Sequence, residues 1–156
     1  MSRNFYIGLL VVAVGVGAVF LYRTETPLEQ TAEFGGVSLR LEYAMTPEAR
    51  ERGLGGRTEI QKDYGMLFVF PVDDYYGFWM NDMLMPIDIF WLDERGAVVF
   101  IEESVAPSTY PHVFYPPTPA RYVLETAAGF TRAHEVATGT PLVLKGGLKN
   151  LQNVSE

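Results

Sequence analysis

Residues 65–90 read GMLFVFPVDDYYGFWMNDMLMPIDIF, and this stretch decides the fold. Residues 66–70 and 87–92 are continuous apolar runs of strand length, bounded by Gly65, Pro71 and Pro86. The segment between them gathers Trp79, Tyr75, Tyr76, Phe78, three methionines and several aspartates. Two buried strands joined by a polar, aromatic-rich crossing are where a small β domain carries a binding site. The same pattern also suits an ordinary core with structural carboxylates.

Outward from this block the strand signals continue. Residues 36–44 alternate, with Val37, Leu39, Leu41 and Tyr43 on one face and Ser38, Arg40 and Glu42 on the other. Thr46-Pro47-Glu48 supplies a capping hydroxyl, a proline for the first helical position and an early acid, so a helix starts there. Gly53, Gly55 and Gly56 keep it short. Asp93-Glu94-Arg95-Gly96 is a turn that pairs the 87–92 run with residues 97–103. Residues 107–119 (PSTYPHVFYPPTP) hold five prolines, a density that predicts neither helix nor strand. Residues 121–126 and 141–145 read as further strands and 131–137 as one or two helical turns. Many short strands with one or two short helices predict a mostly β domain, a small barrel or β-sandwich.

Length and charge bound the rest. At 156 residues the chain is one domain with an extension. It has no cysteine, hence no disulfide framework and no thiolate chemistry. The net charge is −7, and removing Arg3 and Arg23 takes the remainder to −9, a poor match to phosphate backbones; nucleic acid is not an expected partner. Residues 5–22 (FYIGLLVVAVGVGAVFLY) carry no charge and would span ~27 Å as a helix, close to the bilayer core. Tyr6 and Tyr22 mark the two interfaces. The run is long for a signal peptide, and Phe20-Leu21-Tyr22 lacks the small residues of a cleavage site. The expected organisation is an uncleaved membrane anchor over residues 1–23, a linker over 24–35, a β domain over 36–145 and a polar tail over 146–156, with the domain outside the cytoplasm.

Several segments together resemble the family known as domain of unknown function 192. They are Ala49-Arg50-Glu51-Arg52-Gly53-Leu54, Gly65-Met66-Leu67-Phe68-Val69-Phe70 and Phe78-Trp79-Met80. Pro86-Ile87-Asp88-Ile89, the run from Pro119 to Glu125 (PARYVLE) and Ala128-Gly129 complete the pattern. The resemblance implies a small, barrel-like β fold, often behind a signal or anchor, and no settled activity. The chain departs from the pattern at Asn81-Asp82-Met83, where relatives tend to have Lys-Asn-Thr, and at Gly55, where they tend to have methionine.

Three constellations could carry chemistry. Asp82 and Asp88, with Glu125 from a later strand, could bring carboxyls together for binding or for paired-carboxylate hydrolysis. Asp88 stands between Ile87 and Ile89, so it must be paired or hydrogen-bonded, with ligand or with its own backbone. Trp79 with Tyr110 and Tyr115 could form an aromatic platform for a sugar-like ligand or a peptide. Met80, Met83 and Met85 offer thioethers for Cu(I), or simply pack the core. No zinc-protease, serine-hydrolase or phosphate-loop motif occurs, and no cofactor is indicated. The expected function is ligand binding in the cell envelope by a membrane-anchored domain, through Trp79, Asp82, Asp88, Tyr110, Tyr115 and Glu125.

Overall fold

The computed structural model describes residues 30–152; the expected anchor and the first part of the expected linker lie outside them. The described chain is mostly β, a single sheet curled into a half-barrel with a few short helices. Its strands are β1 (Gln30–Phe34), β2 (Val37–Ala44), β3 (Tyr64–Asp74), β4 (Phe78–Trp79), β5 (Ile87–Leu92), β6 (Val98–Val105), β7 (Val113–Phe114), β8 (Ala120–Ala127) and β9 (Val143–Leu144). The helices are α1 (Pro47–Arg52), α2 (Phe130–Ala133) and α3 (Lys149–Gln152). The main sheet runs β6-β5-β8-β3-β2-β1-β9, and β4 and β7 form a separate two-stranded ribbon. Of the two expected forms, barrel-like or β-sandwich, the curled main sheet is the barrel-like one.

Two expectations change. Residues 30–34, read as linker, are β1, which pairs with β2 around the turn Gly35-Gly36. Both glycines have positive φ (57° and 76°), the geometry of the tight hairpin turns that follow strand twist. The tail read as polar holds α3, and Leu148 and Leu151 are buried in the core. The proline-rich stretch also keeps a 3-10 turn at Pro107–Thr109 and the two residues of β7.

The period-2 pattern of each strand divides the core between the two sheet faces. Leu39, Leu41, Leu67, Val69, Phe90, Leu92, Tyr122 and Leu124 project to one face. Phe34, Phe130 and the leucines after residue 141 cover it. Phe34 stacks on Phe130 at 5.8 Å and meets Phe90 edge-on at 5.1 Å. Met66, Phe68, Ile87, Ile89, Trp91 and Val123 project to the other face, where Leu54, Phe78, Met80, Met83 and Met85 close over them.

β2 and β3 pair in parallel, whereas the sheet's other pairings are antiparallel. A parallel pair needs a crossover, and residues 45–63 provide it. That crossover carries α1 onto the second face. Thr46 caps α1 by accepting from Ala49 N at 3.1 Å, Pro47 starts it, and Gly53 N closes it on the Ala49 carbonyl.

Candidate functional site

Strand register decides where each candidate carboxyl lies. Asp88 on β5 pairs with Thr126 on β8, and the next pair is Ile89 with Glu125. Adjacent pairs point to opposite faces, so Asp88 and Glu125 are separated by the sheet itself. The structure does not bring them together.

Asp88 is fully buried, and both its oxygens are engaged. Oδ1 accepts from Ser104 N (2.8 Å) and Gly129 N (3.1 Å), and Oδ2 from Thr131 N (2.8 Å) and Thr131 Oγ1 (2.7 Å). The β5–β6 register shifts beside it, between Ile87 and Ile89, and Ser104 stands in the left-handed region at φ 52°. Asp88 therefore clasps an irregularity of β6 to the turn before α2. It is the backbone-bonded residue that its apolar flanks allow, and it lines no cavity near Glu125.

Glu125 has the opposite surroundings. It is 4% exposed, and its Oε2 has no hydrogen-bond partner among the described residues. Burial pushes its carboxyl up to about 8, against a smaller lowering by the Arg57 charge. At neutral pH it is largely the neutral acid.

Register places Glu42, Met66, Glu125, Ile89 and Glu102 in one row across the sheet. Glu42, at the β2 end, is held by Arg57 Nη2 at 2.8 and 3.0 Å and by the Tyr64 hydroxyl. Arg57 Nη1 also donates to Tyr64 at 2.8 Å. Hydrogen bonds and charge from Arg57 lower the Glu42 carboxyl despite its partial burial. Arg57 is thus committed to Glu42, and Glu125 keeps its free oxygen.

Glu125 is one of the residues lining a pocket of about 290 Å³. Phe68, Phe70, Tyr76, Phe78 and Trp79 form its aromatic wall, and Arg50, Glu51 and Arg52 bring α1 to the mouth. The wall is itself packed. Phe70 stacks on Tyr76 at 3.5 Å, and Phe78 meets Phe68 edge-on at 4.8 Å. Trp91 Nε1 donates to the Tyr76 carbonyl at 2.8 Å and pins the loop above. Arg50 lies over the Phe70 ring at 5.2 Å, with Nη1 donating to the carbonyls of Met45 and Val69. Gly53 is required here: its φ is 50°, and an added Cβ would sit 3.3 Å from Phe68 and 3.9 Å from Glu125 Oε2.

The aromatic candidates gather at the rim. Trp79 is half exposed, and its ring centroid lies 6.1 Å from that of Tyr110. Tyr115, also exposed, packs over Gly77, where a Cβ would come within 2.6 Å of the tyrosine ring. Asp82 lines a neighbouring trough of about 590 Å³ with Glu48, Gly55, Gly56 and Leu84. The trough shares Glu51, Arg52 and Asn81 with the pocket. Of the departures from the family pattern, Gly55, Asn81 and Asp82 fall in this trough, and Met83 lines the pocket. Met80, Met83 and Met85 are all buried in the second-face cluster, and Met83 also lines the pocket.

Of the candidates read from the sequence, Glu125 and Trp79 line this pocket and Tyr110 lies against Trp79, whereas Arg50, Arg52, Phe68 and Phe70, which also line it, were not among them. The signal for the phenylalanines was available: Tyr64, Met66, Phe68 and Phe70 share the second face by alternation. Arg50 and Arg52 reach the pocket through the parallel crossover, which strand patterns alone do not reveal.

Fold and site together define a small β domain of one half-barrel sheet with an aromatic pocket on one face. Residues 29–144 match the DUF192 family, described as Uncharacterized ACR, and the chain belongs to it. No curated protein matches the chain. A candidate transcription regulator from Sinorhizobium meliloti 1021 is similar in structure, with a TM-score of 0.72 and 28% identity over 78% of this chain and 97% of that one. A protein of unknown function from Novosphingobium aromaticivorans DSM 12444 shares the fold at a TM-score of 0.69, with 24% identity over 86% of this chain and 99% of its own.

Proposed function

We propose that this protein is a membrane-anchored, extracytoplasmic domain that binds a small sugar-like ligand or a peptide in the Glu125 pocket. The observation that carries the reading is Glu125, which lines an aromatic-walled cavity and whose buried Oε2 has no partner among the described residues. Buried polar atoms are nearly always hydrogen-bonded, and an exception in a residue that lines a pocket marks the place of a ligand donor. Trp79 and Tyr110 supply apolar faces at the rim, and Asn81 and Arg52 supply edge groups for hydroxyls or amides. The uncharged run over residues 5–22 supports the anchor. A nucleic-acid role, which the name of the Sinorhizobium protein raises, finds little support in a chain with 19 acidic and 12 basic residues.

The test is a panel of saccharides and short peptides titrated against the purified full chain in detergent, followed by tryptophan fluorescence. Saturable binding should be lost in the double variant Trp79→Ala, Glu125→Leu. If that variant folds and keeps every interaction of the wild type, the pocket is not the site. Protease added to intact cells should degrade the domain; full protection would place it on the cytoplasmic side.

A further inference from the structure

We infer that the group received by the Glu125 pocket is an organic ammonium, with one N–H bonded to Glu125 Oε2 and its carbon framework against Phe70, Phe78 and Trp79. This rests on the pocket being the binding site and names the chemistry it selects.

A buried oxygen without a partner is costly. A neutral hydroxyl or amide would give Oε2 a hydrogen bond and leave Glu125 the neutral acid, with no charge to compensate. An ammonium provides the proton and the opposite charge at once, the combination that offsets desolvation of a buried carboxylate. The wall is suited to a cation. Aromatic faces attract positive charge, and the half-exposed Trp79 ring offers one at the rim of the pocket. The approach is suited too, because the trough that opens beside Glu51 adds the carboxylates of Glu48 and Asp82.

The charged groups around Glu125 leave this role open. From the crossover come Arg50, Glu51, Arg52 and Arg57, from β2 comes Glu42, and Glu102 lies in the same row beyond Ile89. Arg57 is bound to Glu42 and Tyr64, and the Arg50 Nη1 serves two backbone carbonyls. Arg52 is exposed at the mouth, and its guanidinium makes no hydrogen bond or ion pair among the described residues, though its charge helps lower Glu42. None of them donates to Glu125.

The proton balance follows. Below pH 8 the acid is mostly protonated, so binding of an ammonium forms the carboxylate–ammonium pair and expels the Glu125 proton to solvent. Binding releases up to one proton per site and tightens as pH rises toward 8.

The experiment titrates the full chain in detergent with n-butylammonium, the tripeptide Lys-Lys-Lys with blocked ends, 1-butanol and methyl glucoside. Tryptophan fluorescence reads occupancy, and calorimetry in buffers of different ionisation enthalpy counts protons. At least one amine probe should bind saturably with proton release, 1-butanol should not, and Glu125→Gln should weaken amine binding roughly tenfold or more, the worth of one charge-assisted hydrogen bond. Binding of butylammonium alone assigns a free small amine, and binding of the peptide alone a lysine side chain. The wild-type preference for butylammonium over butanol tests the inference even if the variant fails to fold. Glu125-dependent binding of butanol or methyl glucoside without amine binding overturns the ammonium but leaves the pocket as the site. No Glu125-dependent response to any probe overturns both.

Discussion

Asp88 and Glu125 sit on adjacent strands, one residue pair apart, and both are buried. In sequence both are acids within strand-like runs, Asp88 between Ile87 and Ile89 and Glu125 between Leu124 and Thr126. In the fold they face opposite sides of one sheet and have opposite hydrogen-bond accounts. Asp88 takes four donors from three residues, while Glu125 leaves an oxygen without any. A buried carboxyl that is fully bonded holds a structure together; one that is not holds a place open.

The largest effect should come from the bonded acid. Asp88→Ala leaves Ser104, Gly129 and Thr131 donors unpaired inside the protein, and we expect a loss of about 3–5 kcal/mol in urea unfolding. A loss below about 1 kcal/mol would mean that water replaces the carboxyl and the clasp is dispensable. Glu125→Leu should go the other way. Replacing a poorly compensated buried acid with an apolar side chain is neutral to stabilising, by about 1–4 kcal/mol, most clearly at pH 9 where the wild-type group is charged.

Acidity sharpens the contrast further. Glu125 is raised from 4.5 in the unfolded chain to about 8 in the folded one, so the folded state holds its proton more tightly. Its contribution to stability is therefore complete below pH 4.5 and lost as pH rises through about 8. Melting of the wild type should fall across that window, and Glu125→Gln should remove this component of the decline. An identical decline in the variant would assign it to other groups. Arg57→Met should cost about 1–2 kcal/mol through the Glu42–Tyr64 contacts. Because Arg57 opposes the burial effect, it should also move the Glu125 midpoint higher in an NMR titration. The smallest change is expected at the rim: Trp79→Ala should alter stability by less than about 0.5 kcal/mol while weakening ligand binding.

Much of the fold was legible because its strands are honest about their faces. β2 alternates as its residues predict, the 87–92 run pairs with β6 through the Asp93–Gly96 turn, and Thr46-Pro47 starts α1. The misses have physical reasons. β1 carries only Ala32 and Phe34 inward, too few apolar residues to announce a strand, and the 146–152 segment buries only Leu148 and Leu151 around polar neighbours. The site was half legible. Composition drew attention to acids and aromatics of the 79–125 region, but which acid meets which ring depends on register. A shift of one residue along β5 separates the clasp from the pocket.

The place of β8 in the sheet has a consequence for how the chain is made. β1, β2 and β3 form one block, β5 and β6 another, and β8 is the seam that joins them. Until residue 127 has been synthesised, the growing polypeptide holds two pieces of sheet with exposed edges and no common core. Glu125 arrives on that seam, so the cavity comes into being in the same event that makes the domain whole.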